Sequence, residues 1–209
     1  MRTDLDPGEL GARRFYKLLT ASVVPRPIAW VSTRSADGVD NLAPHSFFTV
    51  ACVTPPMLQF TSVGVKDSLA NVRQTGEFVV CLAPEWLFEQ VNATGTNFPA
   101  GVSEFGAVGL TAEPSALVAP SRVAQSPVAF ECRLERDLTL GDCTVVIGRV
   151  VHASIATDVL DGDPAEGGLP MVDKLRPLAR LGRNEWSTIG EVLDITRIPY
   201  GEWPGHFRR

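Results

Sequence analysis

Tyrosine, histidine and methionine are scarce in this chain, with 2, 3 and 3 copies. The histidines, His45, His152 and His206, lie far apart and no HExxH occurs, so no histidine metal motif is signalled. Neither GxGxxG nor a P-loop is present, which withholds any sign of a Rossmann or P-loop nucleotide site. A GxSxG nucleophile elbow is missing too; GVSEFG at 101–106 has the wrong spacing. Nothing approaches the roughly 18 uninterrupted apolar residues of a membrane span. The N-terminus carries early acids and lacks the apolar middle of a secretory signal, so the chain reads as cytoplasmic. Basic residues are outnumbered, 19 against 24 acidic, and no basic stripe points to nucleic acid. Cysteine occurs four times without CxxC spacing; Cys52, Cys81, Cys132 and Cys143 sit in apolar runs and read as buried reduced thiols.

What is present suffices for a sizeable core. In 209 residues, 44% are apolar. There are no internal repeats and no low-complexity linker, so residues 1–209 read as one domain with an arm at 1–14 and a tail at 199–209. Strands are expected at Ile28 to Thr33, Leu42 to Val53 (bent at Pro44), Met57 to Ser62 and Phe78 to Leu82. The clearest hairpin joins Ser126–Leu140 to Cys143–Ile155 through Gly141-Asp142, and Asp37-Gly38 marks another turn. Helices are expected at Arg14 to Ser22, Lys66 to Thr75 (ended by Gly76) and Glu85 to Thr94. The segments 97–113 and 157–168 read as loops, Val192 to Ile198 as strand-like, and Trp203 and Phe207 as an aromatic tail. Many strands, hairpin turns and few helices favour an antiparallel barrel or sandwich.

The residues from Pro25 to Asn71 carry the chemistry. Two apolar runs, PIAWVST and PMLQFTS, each end in hydroxyls: Ser32 and Thr33 in the first, Thr61 and Ser62 in the second. Between them lies DNLAPHSFF, with Ser46 after His45. Lys66, Asp67 and Ser68 then lead into a helix. Hydroxyls, a point charge and helix-start amides are what phosphate oxygens need, and apolar walls suit a flat ring. These residues point to a phosphorylated aromatic cofactor on a β scaffold.

The chain resembles the flavin reductase-like group of FMN-binding split barrels, which includes reductase components of two-component monooxygenases. RPIAWVST at 26–33, NLAPHSFF at 41–48, the prolines 55–56 and KDSLANV at 66–72 carry the resemblance. EFGAVGLT at 104–111, SPVAFECRL at 126–134, GDCTVVIGRVVHASI at 141–155 and RLGRNEW at 180–186 continue it in order. The resemblance implies a mainly β fold, a six-stranded antiparallel Greek-key barrel with a few short helices. It implies a homodimer binding FMN or FAD, NAD(P)H as hydride donor to the flavin N5, and a monooxygenase as acceptor. Carried over by position, Ser32 and Thr33 would lie near the phosphate or ribityl chain. Asn41, Leu42, Ala43 and Ser46 would border the isoalloxazine, and Thr61, Ser62, Lys66, Asp67 and Ser68 would hold the phosphate. His152 would approach the nicotinamide and His45 would tune the ring. A flavin binder without reductase activity and a cofactor-free barrel are the competing readings.

Overall fold

The computed structural model describes residues 1–99, 101–203 and 205. Seven strands form one antiparallel sheet: β1 (Ala29–Arg34), β2 (Asp40–His45), β3 (Phe48–Cys52), β4 (Met57–Val63), β5 (Glu77–Leu82), β6 (Val128–Leu140) and β7 (Cys143–Ile155). Their order across the sheet is β2-β1-β5-β6-β7-β4-β3. The two ends, β2 and β3, are consecutive in the chain, separated only by Ser46 and Phe47. Thr61 N–H of β4 donates to Phe47 C=O at 2.9 Å. The expected strand from Leu42 to Val53 is therefore one bent segment serving both edges of the sheet. Counting it once gives the expected six-stranded barrel. The bend lies at Ser46-Phe47 rather than at Pro44, which stays within β2. A proline is tolerated there because β2 has a free edge and needs no N–H on that side.

Local chemistry explains the turns. Gly38 (φ +85°) turns β1 into β2 and Gly141 (φ +61°) turns β6 into β7. The β6–β7 ladder shifts register twice, between Ile147 and Gly148 and between Val150 and His152, which bends these 13-residue strands around the barrel.

Two apolar clusters lie on the two faces of the sheet. The lumen holds Val31, Phe60, Leu69, Val72, Phe78, Val80, Cys132 and Val146. Helices α1 (Pro7–Leu10) and α2 (Ala12–Ser22) precede the barrel; Leu69 and Val72 come from α3 (Asp67–Thr75), which stops at left-handed Gly76. The outer cluster packs Trp30, Leu42, Val79 and Cys81 against Val91 of α4 (Phe88–Ala93) and Phe105 of α5 (Glu104–Ala107). Trp30 Nε1 donates to Thr94 Oγ1 at 2.8 Å, which satisfies the one polar atom of a fully buried indole.

Several expectations are corrected. The first helix starts earlier, at Ala12, and the arm contains a short turn of helix at Pro7–Leu10. The expected helix at Glu85 to Thr94 opens as a 3-10 turn over Glu85–Leu87 before α4. Val192 to Ile198 forms no strand. All seven of its residues are exposed, so no buried face holds the segment against the sheet. Cys81 and Cys132 are buried free thiols, pushed up to about 12 by burial, whereas Cys52 and Cys143 are only partly buried. Phe207 and His206 lie outside the described residues. Among the described residues, no helix is long and apolar enough to cross a membrane.

Candidate active site

A cavity of about 380 Å³ opens where the barrel closes, within the size range of small-molecule sites. At one end stand Lys66, Asp67 and Ser68 with Asn41. Lys66 is the N-cap residue of α3, and its side chain caps no helical N–H. That leaves the amides and dipole of the helix start to attract an anion. Asn41 Nδ2 bridges Ser68 Oγ (3.1 Å) and Thr33 Oγ1 (3.3 Å), fixing α3 against β2. At the other end, Tyr16 of the N-terminal helix meets Phe47 with ring centroids 6.4 Å apart. Pro44, Ala43 and Phe98 complete an apolar wall.

That N-terminal helix buries none of its residues in the chain. Arg26 holds its end instead. The buried guanidinium donates to the helix carbonyls of Thr20 and Val23 (the latter at 2.7 Å) and to Leu181 C=O (2.7 Å). A cation on terminal carbonyls also complements the helix dipole. Tyr16 is placed at the cavity by this staple.

Two titratable groups lining the cavity are buried. His45 packs its ring 4.7 Å from Phe60, and its Nε2 has no hydrogen-bond partner. Burial, aided by the positive charge of Lys66, lowers its pKa to about 4, so it is a neutral imidazole at ordinary pH. Glu104 accepts the Leu42 N–H at 2.8 Å. Burial raises its pKa, and the charge of Asp67 adds to this, while the bond from Leu42 opposes it.

The expected site residues divide into two groups. Asn41, Ala43, His45, Ser46, Thr61, Lys66, Asp67 and Ser68 all line the cavity. Ser32, Thr33, Leu42 and Ser62 sit behind it. The Thr33 hydroxyl is occupied by the amides of Asn41 and Asn71 (3.1 Å for the latter), and Ser62 Oγ donates to Gly64 C=O at 2.9 Å. Ser32 Oγ is fully buried without a partner. Leu42 belongs to the outer core. His152 also lies away from the cavity. It stands opposite Glu131 in the β6–β7 ladder, with Nδ1 3.3 Å from Oε1 but outside hydrogen-bond geometry. Glu131 is fully buried and takes the N–H groups of Ala116 (2.8 Å) and Leu117 (2.6 Å).

Sequence reasoning missed Tyr16, Glu104 and the 94–98 segment, all lining the cavity. Only Glu104 carried a signal, since it opens the EFGAVGLT segment.

A flavin fits this donor set. The helix start and Lys66 suit its phosphate, the apolar end suits its ring, and the unpartnered His45 Nε2 offers a neutral hydrogen bond. A family model described as a flavin reductase like domain matches residues 21–178. The chain belongs to the flavin reductase-like family. An uncharacterized protein of Halalkalibacterium halodurans is 37% identical over 205 residues, covering 92% of this chain and 95% of that protein. Nitrilotriacetate monooxygenase component B from Bacillus cereus has a similar structure, with TM-score 0.88 and 31% identity over 93% of this chain and 99% of that one. A Shewanella frigidimarina structure described as having a split barrel domain shares the fold, with TM-score 0.80 and 20% identity over 92% of this chain and 95% of that one. The barrel closed at Ser46-Phe47 is thus a split barrel, and family membership makes the chain a flavin-binding oxidoreductase by class.

Proposed function

We propose that the chain is an NAD(P)H-dependent flavin reductase. The observation that carries this reading is one cavity with an anion-binding end at Lys66 and α3 and an aromatic end at Tyr16 and Phe47. When bound, the flavin supplies the hydride-accepting centre, which no side chain could. The protein's part is to hold and orient. Lys66, Ser68 and the α3 amides grip the phosphate. Ala43, Pro44 and Phe47 wall the ring, and Ser46 and Thr61 offer polar contacts beside it. His45 stays neutral and offers hydrogen bonding at Nε2. Nicotinamide-to-flavin transfer needs no general acid or base, so positioning is the protein's main task.

The placement of His152 away from the cavity favours a second reading, a flavin-binding protein of this fold without efficient reductase activity. Anaerobic mixing of the flavin-loaded protein with NADH or NADPH separates the two. The reductase reading expects the visible flavin band to bleach within seconds; a band unchanged over minutes sinks it. Lys66→Ala should weaken FMN binding by about 10- to 100-fold and leave riboflavin unchanged, since a single charge-assisted contact contributes about 1.5–3 kcal/mol. Equal loss for both ligands would remove the phosphate from Lys66.

We further infer a homodimer that passes reduced flavin to a monooxygenase partner in the cytoplasm. Four free thiols suit a reducing compartment. Val50 and Val53 near the β3 edge, and Val192, Leu193 and Ile195 of the tail, are all more than 60% exposed. So large an apolar surface calls for a covering partner. A light-scattering mass equal to one chain would reject the dimer.

A further inference from the structure

We propose that this site accepts FMN and turns away FAD, an inference that rests on the flavin reading above. A side cavity of about 240 Å³ opens from the phosphate end of the main one, sharing Asn41, Asp67, Phe98 and Glu104 with it. Four carboxylates line this side cavity: Asp37, Asp40, Asp67 and Glu104. No lysine, arginine or histidine is among the described residues that line it. Asp40 is neutralised by Arg34, at 2.8 Å, and also accepts the Ser121 hydroxyl. The other three have no cation paired to them among the described residues. Among the described residues that line the main cavity, one is a permanent cation, Lys66, beside the start of α3.

Asp67 and Glu104 border both cavities and meet either flavin, whereas Asp37 and Asp40 line the side cavity alone and bear on FAD. FMN ends at its phosphate, which meets Lys66 and the α3 amides and goes no further. FAD continues from that same point through a second phosphate into adenosine. The side cavity opens beside that point, and a second phosphate turned into its mouth meets Asp37, which has no cation paired to it among the described residues. Like charges about 6 Å apart in partly screened surroundings repel by enough to lower affinity about tenfold or more.

Equilibrium titration of the full-length, flavin-free protein with riboflavin, FMN and FAD at low salt tests this. The expected order is FMN tightest, with FAD at least tenfold weaker. Asp37→Asn should narrow the gap by tightening FAD severalfold while FMN stays within twofold. Asp37 lies exposed in the β1–β2 turn, and Asn-Gly forms that turn as well as Asp-Gly does, so the variant keeps the fold. Raising salt to about 0.5 M should also narrow the gap, because exposed charges are screened over a few ångströms there. FAD binding as tightly as FMN overturns the inference and leaves the flavin reading standing. A gap that neither Asp37→Asn nor salt alters overturns the electrostatic account. Failure of all three flavins to bind removes the flavin reading itself.

Discussion

His45 should make the flavin-free protein lose stability in acid over a defined window. Its imidazole is buried against Phe60 and held near pKa 4, whereas an unfolded chain gives it about 6.5. The folded value is the lower one, so between these limits the unfolded state binds more protons. Stability from the neutral form is therefore complete above about pH 6.5, is lost as pH falls towards 4, and changes no further below that. Linkage puts the loss between about pH 7.5 and 4.5 at roughly 2.5 kcal/mol. Other groups titrate over the same range. Glu104, with its raised value, acts with the opposite sign, because the folded state takes up its proton more readily. The comparison is thus between wild type and His45→Gln, which keeps a polar side chain and cannot ionise. Urea unfolding at both pH values gives four free energies. The wild type should lose about 2.5 kcal/mol more than the variant across the interval, at an equal denaturant slope. A difference near zero would mean that the folded protein lets His45 charge freely, and with it would go the neutral hydrogen-bonding role beside the flavin.

Two further substitutions test how the barrel supports the site. Gly148→Ala drives a methyl into the Phe78 ring edge and to 3.1 Å from Cys132 Cβ in the lumen, so it should destabilise by ~1–3 kcal/mol. An unchanged melting temperature would show that Phe78 has room to move. Thr94→Val removes the acceptor of the fully buried Trp30 indole N–H. It should cost about 1–3 kcal/mol in urea unfolding, as an orphaned buried donor does. A neutral result would mean the indole finds another partner.

The sequence by itself determined the strands that alternate, the turns that need glycine, and the part of the site that is continuous in the chain. Lys66, Asp67 and Ser68 read as an anion-binding helix start because charge, hydroxyl and helix boundary adjoin within three residues. The hairpin at Gly141 read clearly because a glycine-led turn between two long alternating runs folds the second run back along the first. What the sequence could not decide was which face of a strand meets the cavity. Thr33 and Ser62 looked like phosphate donors, yet in the fold their hydroxyls are spent on Asn71 and Gly64. Side chains on a strand alternate, and only the packed neighbours determine which hydroxyl remains free. Nor could it bring Tyr16 to Phe47, since that contact depends on a helix end stapled by Arg26 to a carbonyl 155 residues away. Closure itself was a tertiary decision. The segment from Leu42 to Val53 reads as one strand, and only the bend at Ser46-Phe47 lets it serve both edges of the sheet and open the cavity between them.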